Sequence, residues 1–293
     1  MKREPRRPGF WPLACVFAGF VLFLYGPVIT IFVLSFQGPE GGLTFPMRGL
    51  STHWYAELGK GLGVVDIGAA LRRSFSLGAV VMLLTVLLSL SAGLAFRKRL
   101  PGGNALFYVT VASLIMPSII VSLGIALQFR LLDAALKWLL EAVGAGSMLE
   151  GYTTSLGLYT SGLGAHLSWT LPFGLLIMFA VFNRFNPAYE EAARDQGATP
   201  WQSLRHVVLP LIAPSVVGIG MFGFTLSWDE ISRSSQAVGE LNTLPLELQG
   251  LTTTVTTPAI YALGTLTTGV SLAVVTAALI AVAALRRRRA APR

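Results

Sequence analysis

Charge is the scarcest thing in this chain. Only 12% of its 293 residues are Asp, Glu, Lys or Arg, against 53% hydrophobic, where soluble domains carry about 25% charged residues. A water-soluble protein of this length could not cover its surface with what remains. Cysteine occurs once, at Cys15, which excludes an intrachain disulfide and any multi-cysteine metal site. Histidine occurs at His53, His166 and His206, without metal-ligand spacing. No Gly-x4-Gly-Lys-Ser/Thr segment is present, so the sequence offers no P-loop for ATP.

What is present is apolar sequence in runs of about 20 residues, the length that crosses a hydrocarbon core. Six spans are expected: Trp11–Phe36, Phe75–Phe96, Ala105–Phe129, Leu158–Phe182, Leu211–Trp228 and Ile260–Leu285. The fold class is therefore all-α, a membrane protein of six transmembrane helices. The first run is too long for the core of a secretory signal, and it reads as a retained span, kinked at Gly26-Pro27.

The net charge of +8 sits in clusters at the ends of apolar runs, such as Arg97-Lys98-Arg99 and Arg286 to Arg289. That placement suits lipid headgroups and topology control, and no aromatic residues alternate with the bases to make a nucleic-acid platform. Fifteen Lys and Arg fall in the two tails and in 97–104 and 183–209, against seven in the alternate segments. The excess predicts both termini on the cytoplasmic side. On the other side, 37–74 holds a short helix around Thr52 to Leu58. Arg130 to Val143 reads as an amphipathic helix, lying on the membrane or extending the third span.

The segment 183–209 differs from an ordinary connector. Asn186 can cap a helix that Pro187 opens, and Gly197 can end it in the left-handed conformation. Thr199, Pro200 and Gln202 then form a capping box with proline at the first position. Two short helices with a break between them result. Docking to a partner and an ordinary capped connector are both compatible with that pattern.

Glu191-Ala192-Ala193, three residues, Gly197, nine residues, then Val207-Val208-Leu209-Pro210 resembles the EAA loop of binding-protein-dependent ABC importer permeases. Val207 in place of isoleucine is the departure from that pattern. The resemblance runs from the first span to the last and implies one type I permease domain over 1–293. It also implies a cytoplasmic coupling helix, with Glu190, Glu191, Ala192, Ala193, Gly197, Ala198, Thr199, Pro200 and Arg205 meeting a separate ATP-binding subunit pair. Ser227-Trp228-Asp229-Glu230, Asn242-Thr243-Leu244-Pro245-Leu246 and Thr257-Pro258-Ala259 look like the second permease subunit of spermidine/putrescine systems. By that resemblance the chain is a non-catalytic permease of the bacterial inner membrane. It would bind no cofactor itself, leaving ATP and Mg to the partner ATPase. It would pair with a second homologous permease, a heterodimer rather than a homodimer, and receive solute from a binding protein. The solute would be a polyamine or similar cation, with iron and aminophosphonates as the alternatives among relatives.

Asp229 and Glu230 are the acids expected within or at the end of a span, where acids are costly unless they face a cavity or partner. With Trp228 they are candidate gate or pathway residues; interfacial anchoring beside Arg233 is the other reading. His166 could line a pathway or pack as a hydrogen-bonded core residue. Gly218, Gly220 and Gly223 match a dinucleotide-binding spacing, but no strand precedes them and helix packing explains them better. A membrane-embedded enzyme would need a cluster of acids, histidines or cysteines that this pattern does not complete.

Overall fold

The computed structural model describes residues 9–62, 65–97 and 101–290. The basic residues Lys2, Arg3, Arg6, Arg7, Lys98, Arg99 and Arg293, which entered the topology reading, lie outside them. In chain order the helices are α1 (Phe10–Leu34), α2 (His53–Lys60), α3 (Ile67–Phe96), α4 (Gly103–Ala112), α5 (Ser118–Ala142), α6 (Leu163–Asn183), α7 (Ala188–Asp195), α8 (Pro200–Ser203), α9 (Leu209–Trp228), α10 (Ser234–Ala237), α11 (Leu244–Leu251) and α12 (Ala259–Ala290). Single π-helical turns at Leu158–Gly162 and Leu204–Val208 run straight into α6 and α9. Among the described residues six helical stretches are long and apolar enough to cross a membrane, and no strand occurs.

Three spans differ from expectation, each for a physical reason. The run 105–129 is two helices, broken between Ser113 and Pro117. Pro117 has no N–H to offer the Ser113 carbonyl four residues back, so α4 stops and α5 starts afresh. The segment 130–143 is the second half of α5, so it extends the span. The second span begins at Ile67, eight residues before Phe75, with Arg72 and Arg73 inside the helix. Arg73 is tolerated there because its Nε donates to the Asn242 carbonyl at 2.8 Å and Glu247 lies 3.9 Å away. The fifth membrane-length stretch starts at Pro200 and continues through the π turn into α9.

Contacts divide the chain into two units. The first comprises Met1–Ile67 and Leu248–Gly269. Its centre is Gln37, fully buried. The Gln37 side chain accepts the Arg48 N–H at 2.7 Å and donates to the Gly42 carbonyl at 3.2 Å. Trp54 Nε1 donates to the Gln37 carbonyl at 2.8 Å, and Tyr261 Oη to the Leu43 carbonyl at 2.7 Å. The loop 37–52 is thus folded on side-chain amide and indole bonds. Along α1, Phe17, Phe20 and Phe23 are exposed, as suits hydrocarbon.

The second unit comprises Gly68–Glu247 and Val270–Arg293. Here α6 lies along α9, and α3 approaches both through small residues. A Cβ on Gly174 would stand 2.1 Å from Ser89 Oγ, one on Gly93 2.8 Å from Phe182, and one on Gly223 3.2 Å from the Met82 backbone. Gly223 of α9 therefore serves close packing, whereas a Cβ on Gly218 would meet nothing within 4 Å. Thr85 and Thr170 share a buried hydrogen bond of 2.7 Å between α3 and α6.

Asp133 corrects the expectation that Asp229 and Glu230 were the acids of the spans. It lies inside α5, 8% exposed. Its carboxylate accepts bonds from Tyr152 Oη (2.5 Å), Thr154 Oγ1 (2.5 Å), and the Ser155 N–H (2.9 Å) and Oγ (2.5 Å). That bond to Asp133 pushes the Tyr152 phenol above its ordinary value, so the donor proton stays in place. The cluster fastens the segment 152–155 to α5. Asp133→Asn turns one acceptor towards donors and is expected to cost about 3 kcal/mol. Thermal unfolding in detergent checks it; a midpoint no lower than that of the exposed-residue control Glu150→Gln would refute the clamp.

Candidate functional site

The loop over 183–209 is fixed at both ends by its own side chains. Asn186 Oδ1 accepts the Ala188 N–H at 3.0 Å, and the Pro187 carbonyl accepts the N–H groups of Glu190 and Glu191 at 2.9 and 3.2 Å. The first helix ends at Gly197, whose φ is +84°. There the Gly197 N–H returns to the Arg194 carbonyl at 2.8 Å and the Ala198 N–H to Ala193 at 3.0 Å. Glycine holds that left-handed backbone without strain. Thr199 Oγ1 accepts the Gln202 N–H at 3.3 Å, and Gln202 Oε1 accepts the Thr199 N–H at 2.8 Å. The capping box is complete.

The second helix is not a short separate piece. Pro210 has no N–H for the His206 carbonyl, and its ring crowds that oxygen. The chain answers with a wider turn, in which the Leu209 N–H reaches back five residues to Leu204.

The inner side of α7 is tied to the end of α3. Glu190 Oε1 meets Arg97 Nη2 at 2.5 Å, and Oε2 lies 3.5 Å from Arg194. Arg97 also lies over the rings of Phe182 and Phe185, at 5.0 and 5.2 Å. Beside this pair is a cleft of about 500 Å³ lined by Arg97, Glu190, Arg194, Ser203 and Leu204, among others. Of the residues singled out in the sequence, Glu190, Ala193 and Ala198 are half-buried. Glu191, Ala192, Gly197, Thr199, Pro200 and Arg205 are exposed. Tyr189 and Trp201, 55% and 64% exposed, add aromatic surface to the loop.

The other candidates do not form one cluster. Asp229 is exposed, and Glu230 is half-buried with Oε1 accepting the Arg233 N–H at 2.9 Å. Trp228 is fully buried, stacked on Phe224 at 5.7 Å. His166 is 1% exposed, with Nδ1 2.8 Å from Ser227 Oγ and Nε2 2.9 Å from Ser234 Oγ. It is a packing histidine with both ring nitrogens engaged.

The sequence places Arg233 at the interface beside Asp229 and Glu230, and the structure instead buries it. It is fully buried, and its chain carbonyl accepts Ser122 Oγ at 2.7 Å. The guanidinium lies over Trp169 at 5.0 Å, donates to Ser168 Oγ, and reaches the Ser113 carbonyl at 3.4 Å. The signal that could have found it was Pro117, four residues after Ser113.

Six membrane-length helices among the described residues, with a doubly capped loop leading into the fifth, are the architecture of a multi-pass membrane protein. Residues 85–291 match the family described as binding-protein-dependent transport system inner membrane component. The chain belongs to that family, as a non-catalytic permease subunit that works with a separate ATPase and a solute-binding protein. It is 27% identical over 262 residues to the putrescine transport system permease protein PotI of Escherichia coli K12, covering 88% of this chain and 86% of that one. To the spermidine/putrescine transport system permease protein PotC of Haemophilus influenzae it is 30% identical over 254 residues, covering 86% and 89%. Among solved structures, a bacterial ABC transporter that imports the acidic polysaccharide alginate matches with a TM-score of 0.62 at 16% identity, over 95% of this chain and 94% of that one. An inward-facing MetNI methionine ABC transporter matches at 0.53 and 18%, over 73% and 93%. Both share the fold.

Proposed function

We propose that the chain, as one permease domain, forms half of an import pathway for a polyamine or similar organic cation in the bacterial cytoplasmic membrane. Both termini and the loop 186–210 face the cytoplasm, where the loop docks on one subunit of the ATPase pair, which holds ATP and Mg. A second, non-identical permease completes the pathway, and a binding protein delivers solute on the outer face. The observation that carries this reading is the loop itself. Its exposed residues Glu191, Ala192, Thr199 and Trp201 stand on helices capped at both sides of Gly197, while Glu190 fixes its inner side to Arg97. A docking surface so held moves with the bundle. Asp229 and Glu230, following the fifth span, supply negative charge that favours an ammonium solute.

The test is ATP hydrolysis by the complex in lipid, with and without binding protein loaded with putrescine or spermidine. Wild type is expected to be stimulated. Gly197→Val places a branched side chain at positive φ, so stimulation is expected to fall about tenfold, in line with the ~1–2 kcal/mol such a backbone costs. A stimulation that the variant leaves unchanged with assembly intact, or a wild-type complex without ATPase, removes the reading.

A further inference from the structure

A buried guanidinium loses several kcal/mol of hydration, and proteins usually answer with a carboxylate. Around Arg233 the answer is different. Its partners are a hydroxyl, Ser168 Oγ; a carbonyl, Ser113; and an aromatic face, Trp169. Among the described residues no carboxylate lies within 4 Å of the guanidinium, and Nε has no hydrogen-bond partner. The Ser113 carbonyl is free for a reason written in the sequence, because Pro117 has no N–H to offer it. It also belongs to the C-terminal end of α4, where the helix carries partial negative charge. Carbonyl, hydroxyl and ring face together are the elements of a receptor for an organic cation.

Resting on the importer reading above, we infer that Arg233 is a tethered cation occupying the site that an ammonium group of the transported solute takes. The receptor is Trp169, Ser168 and the Ser113 carbonyl; the solute class is an alkylammonium. Arg233 lies at the start of the one-turn helix α10, four residues after the exposed Asp229 and three after the half-buried Glu230. These acids draw a cation towards the place where it exchanges with the guanidinium. Exchange leaves the receptor's charge balance unchanged, so the site is never left without a cation. The unpartnered Nε marks the imperfect fit of the resident group, which makes it displaceable.

The experiment uses the full complex in proteoliposomes. Arg233→Ala is expected to raise hydrolysis without binding protein several-fold, because the resting site is vacant. Low-millimolar guanidinium chloride is expected to return it to the wild-type level, and sodium chloride at the same strength is not. Trp169→Leu is expected to raise the KM for putrescine uptake about tenfold, the loss of a desolvated cation–π contact, with kcat largely kept. Should Arg233→Ala fail to assemble, Arg233→Met keeps the buried stem, loses only the cation and serves the same comparison. Basal hydrolysis at the wild-type level, no response to guanidinium, or an unchanged KM in Trp169→Leu overturns the inference. Stimulation of the wild type by loaded binding protein separates that failure from failure of the importer reading, which would remove both.

Discussion

Gly174→Val is expected to prevent α6 from seating on α3 and to leave little folded protein after extraction from the membrane. A Cβ at that position would meet Ser89 Oγ at 2.1 Å, Ser89 Cβ at 3.0 Å and Thr85 Cγ2 at 3.2 Å. The hydroxyl alone could rotate away. The two carbons cannot, because Ser89 is fully buried and Thr85 is held to Thr170. One surplus methylene in a packed core costs about 1–3 kcal/mol, and valine brings more than one. The mechanism has an internal control. Gly174→Ala should be clearly destabilised alone and substantially rescued by Ser89→Gly, a coupling that a double-mutant cycle reads from detergent melting curves. Melting of Gly174→Val at the wild-type temperature, or additive behaviour of the pair, would sink it.

Breaking the Arg97–Glu190 pair is expected to have the next largest effect, this time on coupling. With Glu190→Ala, Arg97 is left between two phenylalanine rings with 25% of its side chain exposed and no carboxylate at 2.5 Å. The loss is about 1–3 kcal/mol, smaller than for a fully buried pair because water screens part of it. The inner side of α7 then no longer follows α3. Uptake should fall by about tenfold, as a barrier raised by ~1.4 kcal/mol requires, while the ATPase still co-purifies. Exchanging the two residues, Arg97→Glu with Glu190→Arg, should recover part of the activity. Uptake by Glu190→Ala equal to wild type would show that the contact is incidental.

The parts of this molecule that were readable in the sequence are those whose cause is local. Each span must satisfy the bilayer by its own composition, so six spans could be counted from apolar length. The caps around Gly197 involve residues a few positions apart, and Thr199 and Gln202 bond as their spacing predicts. What escaped notice depends on distant or negative information. Hydrophobic length does not register the single missing N–H of Pro117, so one expected span turned out to be two helices. Arg73 reads as a loop residue until Asn242, far along the chain, supplies its carbonyl. The donors for Asp133 arrive 19 to 22 residues later, and the partners of Arg233 are uncharged residues on two other elements. Composition weights charge against charge, and it is blind to an arginine satisfied by oxygen atoms and a ring.

The uninterrupted helical run from Pro200 to Trp228 has a mechanical meaning. Its 29 residues extend roughly 43 Å at 1.5 Å per residue, longer than the hydrocarbon core is thick. Trp201, at one end, and Trp228, at the other, are therefore two points on a single rod. With the loop docked as proposed, a displacement of Trp201 is expected to reach Ser227, held 2.8 Å from His166, as movement of one helix.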